Sequence, residues 1–252
     1  MSRAARLAIW WLLALLLAGA FAYAGRWQLA RMHEKQAMLA AAAQAQAQSH
    51  QRPQPLLLAS DPGRASDYDW AVGSGRIANL TLWLDNQQRG GRVGVRMFCV
   101  LLPDDGVQAL LVDAGWWPLA GDRALPVFGC PAGAGEAVRG MLAPPPSEGL
   151  AHGAALAEQG DGRWLAPRMD LPEIARALHL PTGVAPRVLR LDPQRADGDA
   201  GVMLAPGERD LDILPNTLTP ERHLGYAVQW FGLALTVIVV ALVLTFRKKK
   251  KT

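Results

Sequence analysis

Two long uncharged stretches bracket this chain. From Leu224 to Phe246 no residue is formally charged, and Gln229 is the one strongly polar side chain. At about 1.5 Å rise per residue a helix of that length reaches roughly 35 Å, against a hydrocarbon core of about 30 Å. The other stretch, Leu7 to Ala24, follows Arg3 and Arg6. It is slightly short for a span but adequate, and Trp10, Trp11, Tyr23 and Trp27 suit the interfacial belts at its two ends. A basic start, an apolar run and Ala22-Tyr23-Ala24 also fit a cleaved signal peptide. The aromatic belts favour a retained anchor.

Between these stretches the pattern changes several times. Trp27 to Gln51 is rich in Ala and Gln and free of Gly and Pro, so it continues the first helix until Pro53 and Pro55 end it. Ser60 to Ser74 is turn-rich and reads as a loop. Ile77 to Leu84 alternates apolar and polar residues, as a half-buried strand does. Arg92 to Leu102 and Ala109 to Val112 read as two further strands, joined by the turn sequence Pro103-Asp104-Asp105-Gly106. Val138 to Leu142 and Arg187 to Leu191 supply shorter ones. Asp170 is placed to cap a helix from Leu171 to His179, with Glu173 completing a capping-box-like pattern and Pro181 stopping it. Gly149 to Gly162 and Asp192 to Pro206 read as exposed loops. The fold class is therefore α+β: two transmembrane helices flank one extramembrane, mainly antiparallel β domain with one or two short helices.

Charge sets the orientation. Arg247 and Lys248 to Lys251 follow the second span at once, and such a cluster belongs on the cytoplasmic side. With two spans the N-terminus is then cytoplasmic too. The expected organisation is a cytoplasmic N-terminus at 1–6, a first span at 7–24, a juxtamembrane helix at 25–52, a periplasmic domain at 53–222, a second span at 223–246 and a basic cytoplasmic tail at 247–252. The net charge of +4 becomes −1 once the five basic residues of the tail are set aside, so charge gives the domain no grip on nucleic acid. Cys99 and Cys130 are consistent with one disulfide in an oxidising compartment or with two buried thiols. No Cys, His and Met residues cluster at copper-ligand spacing. His33, His50, His152 and His179 are scattered and read as surface residues. No Gly-x-Ser-x-Gly, phosphate loop or His-Glu-x-x-His is present, which argues against an enzyme. Asp104-Asp105 and the pair Asp210 and Asp212 read as solvated loop charges.

Four blocks carry a resemblance to a known family. They are Gly25-Arg-Trp-Gln-Leu-Ala-Arg31 with Glu34-Lys35; Leu84-Asp-Asn-Gln87 through Gly91 and Gly94; Leu111-Val-Asp-Ala-Gly-Trp-Trp-Pro118; and Arg222-His-Leu-Gly-Tyr-Ala-Val-Gln-Trp-Phe-Gly-Leu-Ala234. Together with the two-span layout they resemble the surfeit locus protein 1 family, membrane-tethered factors for cytochrome c oxidase assembly. The last block is the most specific. Gln87 stands where that family usually has Arg, and Asp113-Ala114 where it has Asn-Arg. Arg222 precedes His223 where many relatives are uncharged.

The resemblance implies transient binding of haem a and its delivery to cytochrome c oxidase subunit I, in the cell inner membrane, with the haem a synthesis machinery as a further partner. The residues of the last block suit this chemistry. Thr219 can act as N-cap, with Pro220 at the first helical position and Glu221 in the first turn. His223, Tyr226 and Trp230 then fall at i, i+3 and i+7 on one helical face. A neutral imidazole can ligate haem iron axially, and Tyr226 and Trp230 can pack on a porphyrin or hydrogen-bond to it. The plainer reading makes this trio an interfacial anchor, and the protein a haem-free scaffold for subunit I. Gln229 can bond to the first span rather than to a ligand. Gly225, Gly232 and Ala234 are expected to permit close helix packing, and Trp116 and Trp117 to pack at a strand end.

Overall fold

The computed structural model describes residues 2–49, 51–106, 108–130, 133–146, 154, 156–194, 207–214 and 217–247. His50, His152, the Lys248–Lys251 tail, most of the loop expected at Asp192–Pro206 and part of that at Gly149–Gly162 lie outside them. The chain divides into two compact units, Met1–Leu39 with Thr217–Thr252, and Ala40–Asn216.

The first unit holds most of one helix and all of another. α1 runs unbroken from Arg3 to Ala47, and α3 from Pro220 to Phe246. Both are long and apolar enough to cross a membrane. Their large apolar side chains, among them Leu12, Leu16, Leu235 and Leu244, face outward. A face of that kind is tolerable in hydrocarbon and costly in water. The helices meet antiparallel: Trp11 Nε1 donates to Thr245 Oγ1 at 3.1 Å, and the Phe21 and Trp230 rings lie 5.6 Å apart. Gly25 leaves room for the Phe231 ring, which a Cβ there would meet at 2.8 Å. The close approach is therefore made by a glycine of α1. Gly225 and Gly232, expected to fill that role, have nothing within 4 Å of a Cβ; Ala227 is the fully buried small residue of α3.

The second unit is built on one strongly bent strand. β1 (Gln54–Pro55) adds a short parallel edge to β2 (Asp69–Arg89). β3 (Arg92–Pro103), β4 (Leu110–Pro118), β5 (Gly133–Ala143), β6 (Ala157–Gly160), β7 (Arg163–Ala166) and β8 (Val188–Leu191) follow, with α2 (Leu171–Ala177) before the last strand. The N-terminal half of β2 pairs with β5 and its C-terminal half with β3, both antiparallel. β4 joins β3 and β8, and β8 returns to β5, so β2-β3-β4-β8-β5 closes on itself. The parallel β4–β8 pair within that closed order gives the connectivity of an OB-type barrel. Gly75 pairs with Pro103 on one side and Glu136 on the other, and a Cβ there would lie 2.5 Å from the Leu102 carbonyl oxygen.

Strand alternation sorts the core. Val95, Met97, Cys99 and Leu101 fill one cluster with Val112, Ala114, Leu189 and Trp83. Phe98 and Val100 point the other way, into a second cluster covered by Met169, Ile174 and Leu178 from around α2. This double burial is why β3 reads as a continuous apolar run. Ala42 and Ala45, from the last turns of α1, close a third cluster with Trp70, Met141 and Ala143.

Several details differ from expectation. The sheet is mixed, with parallel pairs β1–β2, β2–β7 and β4–β8 among the antiparallel ones. The segment expected as a loop at Ser60–Ser74 contains the start of β2, and that at Gly149–Gly162 contains β6. Asp170 caps α2 by accepting from the Glu173 amide at 3.0 Å, but the Glu173 carboxylate turns to Arg168 instead of closing a capping box. α2 stops at Ala177, because His179 takes a positive φ of 52°. Cys99 and Cys130 form a disulfide, which resolves the open choice between a bridge and two thiols.

Candidate functional site

The N-terminal end of α3 begins at Pro220, with Thr219 in the N-cap position and Glu221 in the first turn. The Thr219 side chain makes no capping bond, so the start rests on the proline geometry and on backbone bonds from Arg222 and His223 to the Thr219 carbonyl. His223 is 7 % exposed. Its Nδ1 lies 2.6 Å from Oε1 of Gln28 on α1. An amide oxygen can only accept, so the contact is completed by a hydrogen on Nδ1, and in the neutral ring Nε2 then holds the lone pair.

The three residues expected on one face do not share one environment. His223 and Trp230 face α1, where they meet Gln28 and Phe21. Tyr226 sits 60° around the helix and is exposed. Gln229 is exposed as well, and it is Gln28 that crosses between the helices. Gln28 belongs to the first sequence block but carried no expected role. Its signal was a lone amide a short way beyond an apolar stretch.

A second polar cluster, in the barrel unit, went unread. Arg96, Asp113 and Arg190 occupy the outward-facing positions of β3, β4 and β8, and all three are buried. Arg96 donates to Asp113 at 2.8 Å and to Asp210 at 2.9 Å. Arg190 donates to the other Asp210 oxygen at 2.9 Å and to the Asp212 carbonyl. Asp210 lies on a strap, Gly207–Leu214, whose Glu208 makes a two-way backbone bridge to Trp116. Arg89 and Arg92 hold Glu208 from outside. Asp210 is thus a clamped counter-ion, not the solvated loop charge expected, and Asp212 contributes its carbonyl to the same clamp. The Asp104–Asp105 turn is exposed, with Asp104 accepting from Ser74 Oγ at 2.6 Å.

Competing effects set the proton affinities here. Burial pulls the Arg96 guanidinium down, but Asp113 and Asp210 outweigh it and its pKa rises. Burial dominates at Arg190, aided by the nearby Arg96 charge, and its pKa falls despite Asp113 and Asp210. Burial raises Asp210, yet Arg96 and Arg190 together carry its carboxyl below the ordinary value. Trp116 packs as expected: it is buried, its Nε1 donates to the Gln87 carbonyl at 3.2 Å, and Arg92 stacks 4.9 Å from its ring centroid. Among the described residues no group of His, Cys, Asp and Glu is arranged to hold a metal ion.

A pair of membrane-length helices, one carrying an amide-paired histidine, and a closed barrel strapped by an ionic clamp define a two-helix, barrel-bearing protein compatible with membrane anchoring. Residues 15–235 match the SURF1 family, and the chain belongs to that family. It is a family of assembly factors with a role in cytochrome c oxidase assembly. No curated protein matches the chain.

Proposed function

We propose that this assembly factor binds haem a transiently through His223 and helps its insertion into oxidase subunit I, without catalysis of its own. One observation supports the reading above others: the Gln28 amide holds the imidazole in the tautomer whose Nε2 lone pair is free to coordinate iron. Haem a would supply its iron as the Lewis acid, and His223 would be the residue that holds it. Trp230, held against Phe21, steadies the helix pair on the same face, and the exposed Tyr226 is placed to meet a ligand arriving from outside it. His223 is 7 % exposed, so a ligand meets little of the ring without some rearrangement around it.

That same burial favours a second reading, a haem-free scaffold in which His223 and Gln28 are helix-pairing groups and the protein holds subunit I during biogenesis. The two readings separate by spectroscopy. Purified protein supplied with haem a is expected to give a Soret band that His223→Ala loses. A wild type that shows no band beyond that of free haem a, while subunit I still co-purifies, establishes the scaffold, and a band unchanged in His223→Ala overturns His223 as the ligand. We place the protein in the inner membrane, with both termini cytoplasmic and the barrel periplasmic. The Cys99–Cys130 bridge supports that placement, since disulfides persist in oxidising compartments. Protease accessibility in intact spheroplasts, with labelling of a cysteine introduced into the lysine tail, tests it. The haem a synthesis machinery is the natural donor partner, tested by co-purification.

A further inference from the structure

The barrel carries a cavity of about 390 Å³, far in sequence from the helix-pair histidine and independent of any role for it. Its walls come from β2, from the β6–β7 hairpin and from the connection between β4 and β5, residues 119–130. Leu119, Leu125 and Leu165 give it an apolar lining, while Arg123, Arg163 and Asp85 supply two guanidiniums against one carboxylate. The surplus is cationic.

The two arginines are not equally committed. Arg123 donates to Asp85 at 2.7 Å and is satisfied there. Arg163 reaches the Pro126 carbonyl at 3.4 Å and Asp161 at 3.6 Å, and the Asp161 side chain is 92 % exposed. Both contacts are at the long limit, and the buried Arg163 Nε has no partner. A guanidinium has five donors in a fork that matches a carboxylate. Trp83, also part of the lining and fully buried, leaves its Nε1 hydrogen without an acceptor. Buried donors without a protein partner occur elsewhere in this chain as well, at Trp70 and Arg139 for example, so the case for a ligand rests on the long contacts of Arg163 and on the cavity beside it.

The wall is held in place before any ligand arrives. Cys130 is tied to β3 by the disulfide, and its amide donates to Thr81 Oγ1 at 2.7 Å. Arg123 holds the start of the segment at Asp85. Phe128 packs on Trp83 and Trp117 with centroids 5.7 and 5.6 Å away. Val127 beside it is 88 % exposed, an apolar lip on a braced segment. A preformed, mixed cavity at the small end of the usual range for small-molecule sites suits a compact ligand.

We propose that this cavity binds a carboxylate borne on a compact apolar or aromatic body, with the carboxylate paired to Arg163 and the body against the leucines. The same chemistry is offered by a free aromatic acid and by a protein chain ending in an apolar residue. Full-length protein in nanodiscs, titrated calorimetrically with 2-naphthoate against empty nanodiscs, tests it. Binding to the wild type is expected to weaken at least tenfold for neutral 2-naphthamide, and likewise for Arg163→Gln. Leu125→Trp, which fills the cavity without touching charge, is expected to abolish binding. A hexapeptide ending in Phe with a free carboxylate distinguishes the sources: binding tighter than naphthoate, lost on amidation, identifies a chain terminus, and weaker binding identifies a small acid. Equal binding of acid and amide, equal binding by wild type and Arg163→Gln with both variants folded, or signal no greater than empty nanodiscs overturns the proposal.

Discussion

Asp113→Ala is the most discriminating perturbation of the barrel. The carboxylate accepts from Arg96 at 2.8 Å, lies 3.4 Å from Arg190 Nε, and takes the Gly115 amide at 3.0 Å. Its removal leaves two guanidiniums, both under 10 % exposed at the side chain, sharing Asp210. Breaking a buried pair from one side costs about 3–5 kcal/mol, because the remaining charge is stranded. At about 2–4 °C per kcal/mol for a unit of this size, the barrel transition should fall by roughly 6–20 °C. Asp210→Ala should cost less, about 1–3 kcal/mol, since Asp210 is 16 % exposed and water can replace it. Replacing the buried charges together, as Arg96→Met/Asp113→Leu/Arg190→Met, removes the stranded charge and leaves Asp210 to Arg89 at 3.2 Å. That triple variant should be more stable than Asp113→Ala alone. Near-UV circular dichroism melts of the protein in nanodiscs measure all three. A loss under about 1 kcal/mol for Asp113→Ala, or a triple variant less stable than the single, would refute the view that desolvated charge governs this cluster.

Three further outcomes follow from the same geometry. The Cys99–Cys130 bridge spans 31 residues of sequence, so loop-closure entropy gives it about 3.7 kcal/mol and Cys99→Ala/Cys130→Ala should lower the barrel transition by roughly 7–15 °C; an unchanged melt refutes a stabilising bridge. Asp210 has a depressed folded pKa, so its contribution is complete above the unfolded value near about 3.9 and is lost as pH falls through the lower folded value. Pulse proteolysis across pH 6 to 2 should therefore show cleavage of the strap rising only below about pH 4 in the wild type, and already present at neutral pH in Asp210→Ala. Gln28→Ala removes the acceptor for His223 Nδ1–H; the nitrogen-15 spectrum of labelled His223 should change from one Nδ1–H tautomer to a mixture, and a single unchanged tautomer would show that the amide does not orient the ring.

Much of the barrel was legible because successive strand residues point to opposite faces and both faces are apolar. Ile77–Leu84 alternates in sequence although Leu82, Trp83 and Leu84 are all fully buried, and the long run of β3 is apolar on both faces because α2 covers the second. The start of β2 was hidden by Gly73, Ser74 and Gly75, which look like loop residues but allow the strand to bend and pair on both sides. The β6–β7 hairpin carried a signal that went unread. Asp161-Gly162 are the two turn residues, with φ of 54° and 71°, the primed turn that Asp-Gly favours. The clamp was not legible at all. Asp210 bonds Arg96 across 114 residues, and no local pattern distinguishes such an aspartate from a solvated one. His223 stood out by residue type and setting, whereas Gln28, 195 residues away, acquires meaning only from the pairing of the helices.

The four blocks that carry the family resemblance turn out to be two pairs of contacts. In the helix unit the first block meets the last: Gly25 admits the Phe231 ring, and Gln28 holds His223. In the barrel the second meets the third: Gly94 lies where any Cβ would strike the Trp117 carbonyl and the Trp116 ring, and the Gln87 carbonyl takes the Trp116 indole hydrogen. Two of the three departures from the usual family pattern, at Gln87 and at Asp113-Ala114, fall within the barrel pair, and the second has a local cause. Asp113, standing where an asparagine is usual, supplies the negative charge that Arg96 and Arg190 need once buried, and the neighbouring Ala114 points into the core, where an arginine could not be solvated. At this position the chain carries an internal clamp on the strap Gly207–Leu214. The ligand-facing chemistry proposed above would lie at His223 and at Arg163, one in each unit.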